Sequence, residues 1–136
     1  MKRIVTLIFL IPIYLLNSCV SSNQTPDCEM YKTGRFELHS KINNSITTID
    51  RHDSIQIETN KNNGDVVKAI IRWSGNCEYE LSYLSEQSPS QDTIASFIKS
   101  TQLKTVILKA DKDYYVFKSS IEGSSMTLID TIWVLH

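Results

Sequence analysis

The chain is poor in the residues from which most metal, nucleotide and nucleic-acid sites are built. It holds 4 glycines, 3 cysteines and 3 histidines in 136 residues. With so few glycines there is no phosphate-cradling loop and no Gly-x-Ser-x-Gly nucleophile turn. His39, His52 and His136 stand apart, none with a second histidine at ligand spacing. No metal and no cofactor is therefore expected. Charge of one sign is missing too: 14 Lys+Arg stand against 15 Asp+Glu, a net charge of −1. That balance excludes a basic footprint for nucleic acid and a highly charged disordered tail. Long apolar runs are also absent. Ile4 to Leu16, interrupted by Thr6 and Pro12, would make about 20 Å of helix against about 30 Å of bilayer core.

What is present begins with an address. Met1-Lys2-Arg3 is a basic start, and the short apolar run behind it reads as a secretory signal. Leu16-Asn17-Ser18-Cys19 then resembles a bacterial lipobox, in which a small residue precedes the cut and a free thiol takes a diacylglyceryl thioether. The expected organisation is a signal peptide over 1–18, a lipidated tether over 19–27 and one domain over 28–136. Several acyl chains on Cys19 would anchor the protein stably to a membrane. The tether is small and polar (Ser21, Ser22, Asn23, Gln24, Thr25). It lacks an acidic cluster directly after Cys19, which favours the periplasmic face of the outer membrane over the cell surface, with surface exposure kept as the alternative.

Cys28 and Cys77 remain, an even pair in a chain read as exported. The expected state is a disulfide tying the tether end of the domain to a central strand. Two free thiols or a metal pair are the alternatives.

From residue 34 onward, alternation of period two dominates. Phe36, Leu38 and Ile42 alternate with Arg35, Glu37, His39 and Lys41. Ile55, Ile57 and Thr59 alternate with Gln56 and Glu58, and Val67, Ala69, Ile71 and Trp73 lie opposite Lys68 and Arg72. Cys77, Tyr79, Leu81 and Tyr83 share a face opposite Glu78 and Glu80. Each run reads as a half-buried antiparallel strand, apolar side inward. Asn43-Asn44, Asp50 to Asp53, Asn62-Asn63-Gly64-Asp65, Ser74-Gly75-Asn76, Asp111-Lys112-Asp113 and Glu122-Gly123-Ser124 supply the turns. They bound a short strand over 45–50 and later strands over 103–110, 114–121 and 126–135. One segment differs. Ser88-Pro89-Ser90-Gln91 reads as a capped helix start, and Ile94, Phe97 and Ile98 fall on one helical face. The expected fold is mainly β: an antiparallel meander of about eight strands, closed into a small barrel or a strongly twisted sheet, with one short helix over 89–100. A two-sheet sandwich is the alternative.

Gly34-Arg35-Phe36 resembles the Gly-x-Trp opening of lipocalin-like barrels, with Phe in the Trp position. A wider pattern is similar to a family of small uncharacterised bacterial lipoproteins. It consists of Cys28, Lys32-Thr33-Gly34-x-Phe36, Arg51-x-Asp53-Ser54-Ile55, Ile71-Arg72-Trp73 and Cys77-Glu78-Tyr79. Members often carry a DNA topoisomerase IV label, which fits neither an exported chain nor one lacking an ATP-binding loop. The resemblance implies an envelope location and a β fold, and brings no catalytic residues with it.

The residue-level search for chemistry yields few sites. His39 lies on a polar strand face and His52 in an acidic turn. Glu78 and Glu80 share a strand face and could do acid/base work, but the stronger reading pairs them with Lys68 or Arg72 across a hairpin. Asp111-x-Asp113 lacks the glycine and the terminal glutamate of a calcium loop. Trp73, Tyr79 and Tyr83 could line a pocket for a small apolar ligand, or simply fill the core. Among Tyr114, Tyr115 and Phe117, at least one ring must face outward. Asp-Ser/Thr-apolar recurs at Ser54, Thr93 and Thr131, similar to an O-glycosylation acceptor of some Gram-negative export pathways. The expectation is a non-catalytic binding or interaction module of the cell envelope, anchored by Cys19, that holds a small apolar ligand or docks an envelope protein partner. A small-ligand-binding lipocalin-like barrel is the alternative. An envelope hydrolase, a reading from another class, would require Glu78, Glu80 and a histidine to converge, and a structural lipoprotein serving only envelope integrity is the third reading.

Overall fold

The structure, a computed structural model, describes residues 26–87 and 101–136. Cys19, the expected signal peptide over 1–18, nearly all of the expected tether, the expected helix over 89–100 and Thr93 lie outside the described residues. Eight strands form one closed antiparallel barrel: β1 (Gly34–His39), β2 (Ile46–His52), β3 (Ile55–Asn60), β4 (Val66–Trp73), β5 (Glu78–Gln87), β6 (Gln102–Ala110), β7 (Tyr114–Ile121) and β8 (Thr127–Leu135). Each strand bonds to the next and β8 returns to β1, pairing Phe36 with Val134 and Leu38 with Ile132. Closure leaves no unpaired edge, and the sandwich alternative is thereby set aside. Register shifts between Lys68 and Ala69 and between Ile107 and Lys109 supply bulges that help the sheet curve. A single 3-10 turn, Glu29–Tyr31, leads into β1; no pattern in the sequence announced it.

The turns follow the expected chemistry, with one adjustment. Gly64 and Gly123 take φ of 79° and 77° in the β3–β4 and β7–β8 turns. Between β2 and β3 only Asp53 and Ser54 turn, with φ of 47° and 65°. This is the signature of a two-residue type I′ hairpin. β2 therefore runs through Asp50, where the sequence pattern ended it, to His52. The turns divide between two ends. One end, here the plugged end, gathers the chain entry, Asp53–Ser54, the β4–β5 turn and the β6–β7 turn. The far end holds the β1–β2, β3–β4 and β7–β8 turns and the ends of β5 and β6.

The core is built by inward-pointing apolar side chains. Phe36, Ile49, Ile71, Tyr79, Ile107, Tyr115, Phe117 and Ile132 form one buried cluster, while Arg35, Asp50, Lys68, Arg72 and Lys118 face solvent or are half-buried on the outside. A membrane-spanning barrel has the opposite polarity, with an apolar outer band. Tyr114 is the aromatic that faces outward, beside buried Tyr115 and Phe117.

The alternation is inverted in β3. Ile55 and Ile57 were the expected inner face, yet Gln56 is only 2% exposed and Ile55 and Ile57 are half-buried on the outside. The hairpin register explains the inversion. Directly opposed residues share a face, and Ile49 and Arg51 lie opposite Glu58 and Gln56. Turning Ile55 and Ile57 inward would have carried Asp50 and His52 in with them.

Cys28 and Cys77 form a disulfide across a sequence separation of 49 residues. Cys77 sits in the turn before β5 and not in a central strand as expected, and its carbonyl accepts a hydrogen bond from Ile107 N at 2.8 Å. The bridge ties the chain entry to the plugged end. Closing a loop of this length stabilises the fold by about 4 kcal/mol on the chain-entropy model.

Candidate functional site

Inward-facing side chains fall into two tiers. Toward the plugged end they are buried, Phe36, Ile49, Arg51, Gln56, Ile71, Tyr79, Tyr115 and Ile132 among them. Toward the far end they are half-buried, as at Leu38, Glu58, Val67, Leu81, Leu103 and Ile121. The lumen is thus a filled floor beneath a more accessible upper tier.

The floor is organised by a buried cation. Arg51 is 1% exposed. Its Nε donates to Gln56 Oε1 at 2.7 Å, Nη1 to the Tyr31 carbonyl at 3.0 Å and Nη2 to the Tyr79 hydroxyl at 3.0 Å. The guanidinium also lies over the rings of Tyr79, Phe36 and Tyr115, 4.8, 5.1 and 5.7 Å from their centroids. A planar fork with several donors suits this task, and an ammonium would not. Because one acceptor belongs to Tyr31, Arg51 fastens the 3-10 turn to the barrel. Tyr31 completes the lock: its hydroxyl donates to the Asp111 carbonyl in the β6–β7 turn, and its ring packs 4.8 Å from that of Tyr115. Gly34, at φ 124°, opens β1 beside the Phe36 ring; a Cβ there would meet that ring at 3.6 Å in a backbone conformation unsuited to L side chains.

Above the floor the lumen turns polar. Gln56 Nε2 donates to Glu58 Oε1 at 2.5 Å, which extends the network from Arg51 to a carboxyl in the upper tier. Loss of solvation raises the Glu58 pKa above the ordinary carboxylate value, and the Gln56 hydrogen bond and the Arg51 charge offset this only in part. On the opposite wall Thr105 and Ser119 share a hydrogen bond at 2.7 Å. Asp130 is buried and accepts from Thr131 N at 2.8 Å. The Tyr115 hydroxyl is buried without a hydrogen-bond partner among the described residues, and burial pushes its pKa well above the usual tyrosine value.

The expected site residues divide along this line. Trp73 and Tyr79 pack on each other, rings 4.8 Å apart, as part of the floor, and Lys32 lies over Trp73. Tyr83 is two inward positions higher on β5, opposite Ala69 and half-buried. Trp73 and Tyr79 thus pack together in the floor, while Tyr83 belongs to the upper tier. Glu78 and Glu80 stand on the outer face of β5; Glu80 lies opposite Arg72 in the register but accepts from Gln102 Nε2 at 2.8 Å, and the expected ion pairs with Lys68 or Arg72 are not formed among the described residues. His39 contacts Glu37 at 2.5 Å, His52 contacts Asp50 at 3.3 Å and His136 contacts Asp113 at 3.2 Å. These exposed pairs are spread over the surface. Among the described residues, no group of His, Cys, Asp and Glu is placed to hold a metal ion. Ser54 is exposed at the tip of its hairpin and Thr131 is half-buried in β8.

Arg51, Glu58 and Tyr31 are the residues that single-residue reasoning missed. For Arg51 a signal existed, since it follows Ile49 by two positions and must share its face. Chemically, the upper tier combines half-buried aliphatic side chains such as Leu38, Val67, Leu81 and Leu103 with the carboxyls of Glu58 and of Glu86, which lies opposite Val67. Such a lining can hold a small molecule with an apolar body and one polar group.

Fold and site together define an eight-stranded up-and-down barrel with a plugged floor. No protein-family model, curated protein or solved structure matches the chain.

Proposed function

We propose that this protein is a non-catalytic binding module of the cell envelope, held to the membrane by a lipid on Cys19, that takes a small, mainly apolar ligand into the upper tier of its lumen. The observation that carries the ligand reading is the two-tier lumen. Small eight-stranded barrels are either filled by their own side chains or hold one small ligand; here the buried filling ends at Arg51, Gln56, Thr105, Phe117 and Asp130, and the inward positions beyond it are half-buried. Glu58 marks the boundary and supplies a polar contact for the ligand's head. Docking of an envelope protein is the less favoured reading, because no feature of the lumen serves it. Ser54, exposed at a hairpin tip, is the O-glycosylation candidate best placed for modification.

The test uses the fluorescent amine N-phenyl-1-naphthylamine as an apolar probe, titrated into the isotope-labelled full-length protein. Amide shifts should concentrate around Glu58, Val67 and Leu103, and Leu103→Trp, which fills the upper tier, should weaken them at least tenfold. Shifts confined to the outer face, or unchanged in Leu103→Trp, would overturn the ligand reading.

A further inference from the structure

The outside of the barrel is not uniform. Over β2, β4 and β5 the outward positions mix signs: Asp50 and His52, Lys68 and Arg72, Glu78 and Glu80. Over β6, β7 and β8 they do not. The only acidic residue in those three strands is Asp130, and it is buried facing the lumen. Outward on the same strands stand Lys104, Lys109 and Lys118, interleaved with apolar and aromatic side chains.

Two parts of this face are organised. Lys109 lies over the ring of Tyr114, 5.4 Å from its centroid, and Tyr114 packs on Trp133 with centroids 5.3 Å apart. Trp133 nonetheless remains 45% exposed. Toward the far end, Val106, Lys118 and Ile129 form one row across the strands, and Ile129 is 60% exposed. The carboxylates bordering the face already have cations. Glu37, beside Trp133 on β1, bonds to Lys61 and His39; Asp113 meets His136 and Lys112; Glu122 holds Lys104. Lys118 forms no ion pair among the described residues, and Lys109, which bonds the Tyr114 hydroxyl, has only the exposed Asp111 of the β6–β7 turn as a nearby carboxylate.

We infer that the outer face of β6–β8 lies against an anionic lipid surface. Trp and Tyr rings with one apolar and one polar side settle at the level of lipid headgroups, and lysines beside them pair with anionic headgroups. A protein partner of mixed charge would find no outward carboxylate on these three strands for its own cations, since Asp130 faces the lumen. A bilayer presents only what the face can use: negative charge above an apolar layer. The contact is superficial, because the strands remain charged around the rest of the barrel. This inference goes beyond the lumen reading and needs neither the ligand nor lipid on Cys19, since its readout is contact at Trp133 and not membrane attachment.

The experiment mixes the full-length protein with vesicles of brominated phosphatidylcholine and phosphatidylglycerol at a 3:1 ratio, and with unbrominated vesicles as reference. Bromine quenches tryptophan only at short range. Trp133 emission should fall at least twofold, Trp133→Phe should remove the quenched component, and the quenching should weaken as salt is added. Lys109→Glu with Lys118→Glu should reduce it at least fivefold while the circular dichroism spectrum stays unchanged. Vesicle-bound protein with unquenched Trp133 overturns the inference, as does equal quenching in the double variant. So does concentration-dependent dimerisation without lipid that buries Trp133, which would assign the face to a second copy of the chain.

Discussion

Arg51→Lys keeps the charge of the plugged end and tests whether its geometry matters. In the native protein three donors of one guanidinium reach three elements: the 3-10 turn at the Tyr31 carbonyl, β3 at Gln56 and β5 at the Tyr79 hydroxyl. A lysine ammonium on the same strand position can satisfy one of these acceptors well. Hydrogen bonds from a charged donor contribute about 1.5–3 kcal/mol each, so losing two costs about 3–6 kcal/mol. The loss of stacking on Phe36 and Tyr79 adds to this. The burial cost of the cation is not relieved, because the site stays closed to water. Against a total stability of about 5–15 kcal/mol for a domain of ordinary size, the variant should be close to unfolding. Urea denaturation with the disulfide intact is the assay. With a slope of about 2 kcal/mol/M, the midpoint should fall by about 1.5 M or more. A midpoint within about 0.5 M of the native one would refute the reasoning and make Arg51 a passive filler.

Two further outcomes are expected. Glu58 holds its proton to higher pH in the folded state than in the unfolded chain, so its contribution is fully present below the unfolded pKa and is lost as pH rises through the folded one. Glu58→Gln keeps an acceptor for Gln56 and should therefore raise the melting temperature at pH 7.5, with little effect at pH 3.5; an equal change at both would contradict the assigned burial. Cys19→Ala should abolish incorporation of labelled palmitate and release the domain from membranes, whereas a native chain that takes up no palmitate would remove the anchor from the proposed function.

The barrel was legible in the sequence because period-two alternation and turn residues are local signals. The Asn62-Asn63-Gly64-Asp65 turn and the runs around Phe36, Ile71 and Tyr79 each specify their own strand and its inner face. The polar half of the site was not legible, and β3 shows why. Taken alone, Ile55-Gln56-Ile57-Glu58 says that the isoleucines go inside. Paired through a two-residue turn, it cannot satisfy that preference without burying Asp50 and His52. The register resolved the conflict in favour of one buried cation with neutral partners. Asp53-Ser54 lacks the glycine that usually announces such a turn, so the signal that fixes the register was the weakest along the chain. The disulfide partners were readable from cysteine count, but the turn position of Cys77 was not, since alternation continues unbroken through it.

The distribution of stabilising features within the barrel bears on its use. The disulfide, the Arg51 network, the Tyr31 lock and the stacked rings of Trp73 and Tyr79 all lie in the plugged half. The upper tier is lined by half-buried side chains, among them Leu38, Leu81, Leu103 and Glu58, whose carboxyl is raised in pKa. Local stability follows such contacts, so the floor should open only with global unfolding while the upper tier exchanges more readily. A protein whose only task was to be a rigid spacer would gain from filling both halves. Concentrating rigidity at one end is useful when the other end must admit something, because the floor then carries the stability that an adaptable lining cannot. The point of chain entry bears on the same proposal. The chain enters at the plugged end through Cys28, so the proposed anchor on Cys19 would attach to the half that holds the fold together.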